Sequence, residues 1–195
     1  MSLRVGPVVL EGDGVRLEPL SQDHAQGLYN RGRADADWAY MPRACFIDLA
    51  DTRQWIEEAL ETPAQLPFAI IETGKGKAMG STRYLNIRPA HRCLEIGWTW
   101  LGQEWQRTGV NTQVKLLLLS HAFERLGCVR VEFKADARNV RSQHALERIG
   151  ATREGVLRNH MIVQGDYVRD SVYFSVIDQD WLEVKERLLQ LARRS

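Results

Sequence analysis

Residues 102–113, GQEWQRTGVNTQ, lie between an apolar run that ends at Leu101 and a periodic run that starts near Asn111. A strand feeding a loop and then a helix is a ready anion site. The first helical N–H groups have no intrahelical partner, and the aligned peptide dipoles leave that end positive. Gly109 lets the backbone approach a phosphate without an intervening Cβ, and Arg107 adds a cation. The same residues also read as a tight turn before a helix capped by Asn111 or Thr112, and local physics leaves both readings open. Other chemistries find less support. His24, His91, His121, His144 and His160 have no HExxH spacing, and Cys45, Cys93 and Cys128 form no CxxC, so no metal is expected. A GxxxxGKS/T phosphate loop is absent; Gly74, Lys75 and Gly76 read as a hairpin turn.

Periodicity supplies the elements that must hold this segment. Strands are expected at 8–11 and 15–19, then a helix over 22–31 behind Ser21, a further turn at 35–40, and a helix over 53–60 capped by Asp51 or Thr52. Alternation over 68–73, 77–87 and 93–101 gives three strands. A helix over 111–126, with Val114, Leu117, Leu118, Ala122 and Leu126 on one face, stops at Gly127. A strand at 129–134, a helix at 139–149 ending at Gly150, strands at 155–163 and 167–176, and a helix at 178–191 complete the chain. This order is that of a mixed α/β (α+β) domain, in which the helix at 111–126 is the one connection expected to cross between parallel strands.

The 195 residues fit a single domain spanning 1–195. Lys and Arg number 26 against 25 Asp and Glu, so there is no electrostatic case for nucleic acid or an anionic membrane as partner. No apolar run approaches the roughly 20 residues of a membrane span, and MSLRVGPVV lacks the apolar region of a signal peptide. With three widely spaced cysteines, a reducing, cytoplasmic setting is expected.

QRTGVN at 106–111 resembles the Q/R-x-x-G-x-G/A pyrophosphate loop of the GNAT N-acetyltransferases, which bind acetyl-coenzyme A (acetyl-CoA). Asn111 stands where that family usually has Gly or Ala. LEIGWTWL at 94–101 resembles the family's fourth strand, and ARNVRSQHALERIGA at 137–151 its Asn-x-x-Ser helix with the turn that follows. The segment at 153–176 resembles the terminal hairpin. EGDGVRLEPL at 11–20 is similar to the opening of the RimJ/RimL branch, the ribosomal-protein N-terminal acetyltransferases. The resemblance implies a mixed, mostly antiparallel sheet of about seven strands, splayed between the family's fourth and fifth strands and flanked by helices.

It also implies roles. The pyrophosphate would rest on the backbone of Arg107, Thr108, Gly109, Val110, Asn111 and Thr112, with Gln106 orienting the loop or touching the pantetheine arm. That arm would run like an added strand beside Thr99, Trp100 and Leu101. Asn139 would contact the arm and Ser142 would lie near the sulfur, giving a proton to the thiolate. The chemistry is acyl transfer to an amine, which must lose a proton before attack. Glu95 is the expected base, directly or through a water, and a backbone N–H near Thr99 would hold the oxyanion. The ribosomal-protein serine acetyltransferase pattern has a Glu base where this chain has Met161; the adjacent His160 is expected on the opposite strand face. Trp38, Tyr40 and Trp98 are expected to line the acceptor pocket, while core packing is the competing role for the tryptophans. The reading is thus an acetyl-CoA-dependent N-acetyltransferase, monomeric or homodimeric, acting on a protein N-terminal α-amine. The alternatives are an antibiotic or polyamine-like amine as acceptor, or a CoA-binding module without turnover.

Overall fold

Glycines and capping side chains punctuate the chain in the computed structural model, which describes residues 3–193. Strands β1 (Leu10–Glu11) and β2 (Val15–Pro19) turn through Gly14 at φ +70°. Helices α1 (Ala25–Arg31), α2 (Asp35–Trp38) and α3 (Leu49–Glu61) follow. The first of these opens with a single 3-10 turn, Gln22–His24. α3 begins at Leu49 rather than Arg53 because its cap is Asp48, not Asp51 or Thr52. The Asp48 carboxylate accepts the Asp51 N–H at 2.7 Å, and the Asp51 carboxylate is taken up by Arg43 and the Ile47 N–H.

A meander of β3 (Leu66–Glu72), β4 (Ala78–Arg88) and β5 (Cys93–Leu101) leads to α4 (Val110–Ser120). α4 loosens into one π-helical turn, His121–Arg125, and ends before Gly127 at φ +68°. After β6 (Arg130–Asp136), α5 (Val140–Ile149) starts on Asn139, whose Oδ1 accepts the Ser142 N–H at 3.0 Å. Such a cap is worth about 1 kcal/mol. The hairpin of β7 (Thr152–Val163) and β8 (Tyr167–Ile177), then α6 (Trp181–Ala192), complete the fold.

Eight strands form one sheet in the order β1-β2-β3-β4-β5-β6-β8-β7, antiparallel except between β5 and β6. α4 is the expected crossover, but it is not the only one. β8 lies between β6 and β7 and is antiparallel to both, so β7 runs parallel to β6 and α5 also crosses over. Sequence periodicity identifies strands but not which neighbour each one takes.

Two features of β5 shape everything that follows. It pairs with β6 only at Cys93, Leu94 and Glu95; beyond that point the strands part. On its other edge, Ser81 faces Trp100 while Arg83 faces Gly97, so β5 carries an extra residue, a bulge with Trp98 at φ +50°. The bulge shifts the alternation. Leu94, Ile96 and Leu101 belong to the core under α4 and α6, whereas Trp100 packs with Trp38, Phe46 and Trp55 beneath α1–α3. Opposite the bulge the chains come close: a Cβ on Gly80 would stand 2.0 Å from the Trp100 carbonyl oxygen.

Candidate active site

The parted halves of β5 and β6 enclose a cavity of about 880 Å³. Residues 96–101 form one wall and 133–136 the other, with α5, α2 and the loop before α4 around them. Since β4 occupies one edge of β5, the edge facing this gap keeps unpaired backbone groups, the feature a strand-like ligand needs.

Glu95 sits where the gap begins, on the sheet face opposite α4, with 1% of its surface exposed. Its Oε2 accepts from Asn86 Nδ2 at 2.8 Å and from Lys134 Nζ at 3.2 Å. Its Oε1 is buried with no partner. A buried carboxylate held by one oxygen and free at the other is oriented yet able to take a proton. Asn86 adopts φ +47° at an irregularity of the β4–β5 ladder, which neither its type nor its spacing foretells.

In the loop, Gly109 is the N-cap of α4 at φ −66°, so neither Asn111 nor Thr112 caps the helix. The left-handed residue is Arg107, at φ +60°. Gln113 N–H to Gly109 O is the first intrahelical bond, so the amides of Asn111 and Thr112 precede it. Thr108 Oγ1 accepts the Val110 N–H at 3.3 Å. Gln106 ties the loop down: its Nε2 donates to Asp37 Oδ1 at 2.6 Å and to Leu101 O at 2.9 Å, and its Oε1 accepts from Arg141 at 3.2 Å. Burial raises the pKa of Asp37.

Of the residues singled out in the sequence, Glu95, Trp98, Thr99, Trp100, Leu101, Gln106, Arg107, Thr108, Asn111, Asn139, Ser142 and Tyr40 all line the cavity. Gly109, Val110 and Thr112 are not among the lining residues, and Thr112 is buried. Trp38 does not reach the cavity. It is 0% exposed, 5.1 Å from Trp100 between ring centroids, and its indole N–H donates to Gly32 O at 2.9 Å. The competing reading, core packing, is the one its surroundings fit.

Met161 lines the cavity, as does its cross-strand partner Arg169. His160 was expected on the opposite face, but Asn159 at φ +50° inserts a bulge between Leu157 and Met161 and turns the imidazole onto the same face. There it meets Ser171 Oγ at 3.0 Å and Tyr173 Oη at 3.4 Å. Burial and the nearby Lys134 and Arg169 hold its pKa below the ordinary histidine value.

Lys115, Asn86, Lys134 and Arg169 escaped the sequence reading. Lys115 alone left a visible signal, a single cation inside the apolar run VKLLLL. The others meet the site through strand register and helix placement across the fold.

The family profile described as Acetyltransferase (GNAT) domain matches residues 15–152. A Bacillus subtilis protein named "Putative ribosomal N-acetyltransferase YdaF" is 33% identical over 106 residues, 54% of this chain. The match spans 57% of that protein, little more than half its length. Spermidine N(1)-acetyltransferase of Escherichia coli is 22% identical over 171 residues, covering 86% of this chain and 88% of that protein. A crystal structure of a GCN5-related N-acetyltransferase from Brucella melitensis superimposes with a TM-score of 0.90 at 30% identity, covering 95% of this chain and 86% of that one.

Proposed function

Because the chain belongs to the GNAT acetyltransferase family, whose acyltransferases use acetyl-CoA, we propose that it moves an acetyl group from acetyl-CoA to the N-terminal α-amine of a protein, by direct attack in a ternary complex. Residues 1–195 act as one acetyltransferase domain, in the cytoplasm.

Glu95 carries this reading. An incoming ammonium must surrender a proton, and Glu95 Oε1 is a buried acceptor without a partner at the start of the gap. Asn86 and Lys134 fix the carboxylate through its other oxygen. The proton passes to Oε1 directly or through one water, contributing a factor of about 10²–10⁴ in rate. A backbone N–H of the β5 bulge, at Thr99, donates to the oxygen that gains charge. Ser142, three residues after the α5 cap, supplies a hydroxyl on the leaving-group side.

The residues present suit acetyl-CoA. The open end of α4 with Arg107 matches a pyrophosphate, from the amides of 107–112. The free edge of β5 at Thr99, Trp100 and Leu101 matches the amides of the pantetheine arm. Asn139, already spent on capping α5, keeps its amide nitrogen for the arm, and Gln106 holds the loop in place.

For the acceptor, charge favours a peptide end over a polyamine. The cavity wall carries the carboxylates of Asp37, Glu95 and Asp136 against the cations of Arg107, Lys115, Lys134, Arg141, Arg148 and Arg169. Asp136 is engaged by Arg138 and Glu95 by Lys134, which leaves little to hold several ammonium groups. Tyr40 and Trp98 contribute aromatic surface to the same wall.

Isothermal titration with acetyl-CoA tests the donor site, with Gly109→Glu as the variant that repels a phosphate. Binding lost in that variant is expected. Thiol release with short peptides, α-blocked peptides and spermidine tests the acceptor. Turnover of free peptides alone is expected. Preference for spermidine would overturn the acceptor assignment, and binding without turnover of any amine would leave a CoA-binding module.

A further inference from the structure

The other face of the gap holds a buried amine that this mechanism leaves unused. Lys115 projects from α4 toward the sheet and is 6% exposed. Its Nζ donates to Thr99 Oγ1 at 3.1 Å, and Thr99 Oγ1 shares a 2.8 Å hydrogen bond with Thr82 Oγ1. The Phe133 ring centroid lies 5.6 Å away. Among the described residues no carboxylate is paired with it. A buried cation without a counter-ion is expensive to maintain, and burial alone brings this amine down to about 7.

The groups in contact with it on that face are neutral. β4 brings Thr82 and Tyr84, whose phenol is committed to Leu118 O; β5 brings Thr99 and β6 brings Phe133. His121, at the end of α4, is bonded to Tyr84 and kept neutral by burial. α5 adds Ser142, and its Arg141, His144 and Arg148 also border the cavity. Glu95 and Lys134 pair on the opposite face of the sheet. Without the bulge at Trp98, strand alternation would turn Thr99 toward that opposite face. The bulge is what brings its hydroxyl under Lys115.

We propose that Lys115 is the proton donor to the leaving thiolate of the acetyl-transfer reaction, its ammonium aimed into the gap by Thr99. The inference rests on the acetyl-transfer reading above. The acceptor nitrogen forms its bond to the acetyl carbon, the carbon–sulfur bond breaks, and the sulfur takes a proton from Lys115 Nζ. The ammonium of the acceptor gives Glu95 one proton, which passes on to solvent before attack, and the nitrogen gives Glu95 its second as the carbon–nitrogen bond forms. Both residues then exchange with solvent, so one amide and one thiol result. Two side chains on opposite faces of one gap thereby divide base and acid duties. Ser142 borders the same cavity, but a serine hydroxyl gives up its proton far less readily than an ammonium that burial has made acidic.

The test is the ionisation of CoA itself on the protein, read as thiolate absorbance across pH for the native chain and for Lys115→Met. An ammonium facing the sulfur lowers the pH at which the bound thiol ionises below the roughly 8.5 of a free thiol. The methionine variant is expected to abolish that depression. In turnover, kcat is expected to fall about 100-fold in the same variant with the KM for acetyl-CoA unchanged, whereas Ser142→Ala keeps the depression. Should Lys115→Met fail to fold, Thr99→Val removes the aiming hydroxyl and is expected to weaken the depression. Equal thiol ionisation in the native chain and the variant overturns the inference while leaving acetyl transfer intact. Mass spectra with an acetyl group on Lys115 overturn it too, making the amine a nucleophile instead. Failure of CoA to bind the native chain, seen by titration calorimetry, overturns both readings together.

Discussion

Replacing Glu95 with Gln separates a base from a structural carboxylate. The glutamine oxygen can still accept from Asn86 and Lys134, the two donors that hold Oε2 in the native chain. Its amide nitrogen then occupies the place of Oε1, where no partner exists to be offended. What is lost structurally is the charge opposite Lys134, whose side chain is 19% exposed. Hydrogen bonds to charged groups contribute about 1.5–3 kcal/mol, and only the charge-assisted part disappears here, so stability is expected to fall by about 1–2 kcal/mol. The chemical loss is larger. Without an acceptor for the ammonium proton, kcat/KM is expected to fall by about 10²–10⁴, equivalent to about 3–5 kcal/mol in the barrier. Thiol release at saturating acetyl-CoA measures the rate, and calorimetric binding of acetyl-CoA, expected to be unchanged, shows that the site is intact. A glutamine variant that turns over within about threefold of the native chain would refute the assignment of Glu95 as base.

Three further outcomes follow from the packing. Gly80→Ala places a Cβ 2.0 Å from the Trp100 carbonyl oxygen, backbone that cannot yield cheaply; thermal unfolding is expected to show a loss of about 3 kcal/mol or more. Trp38→Phe removes one of two donors to the buried Gly32 carbonyl, which keeps the Phe46 N–H at 3.0 Å, and leaves a void where the larger ring packed, so stability is expected to drop by about 1–3 kcal/mol while the KM for the acceptor stays unchanged; a large KM effect would return Trp38 to the pocket wall. Glu154 is held at about 2 by its hydrogen bonds to Arg130. Because this folded value lies below the ordinary 4.5, its stabilisation is present above pH 4.5 and is lost as the pH falls through about 2. Glu154→Gln should therefore be less stable than the native chain at pH 6 and indistinguishable from it near pH 2, as chemical denaturation would register.

Long periodic segments were readable in the sequence because burial imposes their period. β5 at 93–101 and the apolar stripe of α4 are examples, and the left-handed stops at Gly127 and Gly150 follow from glycine's freedom. Bulges were not readable. The one extra residue at Trp98 changes which face later side chains of β5 occupy, the two extra residues around Asn159 turn His160 out of alternation, and a tryptophan or asparagine at positive φ leaves no mark in the pattern. That is why His160 was placed on the wrong face and why the partnership of Thr99 with Lys115 was invisible. Partners far apart in sequence were equally hidden. Lys134 reaches Glu95 across 39 residues through the register of β5 and β6. Trp38 looked like pocket lining because an aromatic residue after a short helix suits either a wall or a core, and only tertiary packing separates the two.

Joined by three residue pairs and one parallel contact, β5 and β6 make the sheet behave as two plates. β1 to β5 form one and β6, β8 and β7 the other, with α4 as the strap that carries the chain from one to the other. Each plate is stiffened by long antiparallel ladders, whereas the seam between them is short and wedge-shaped. A ligand lying along the free edge of β5 would fill the wedge as a non-covalent ninth strand. Occupancy would then be a mechanical event, since the seam shares its load with whatever is bound there. Slowed amide exchange in β6, remote from the loop before α4, would be its signature.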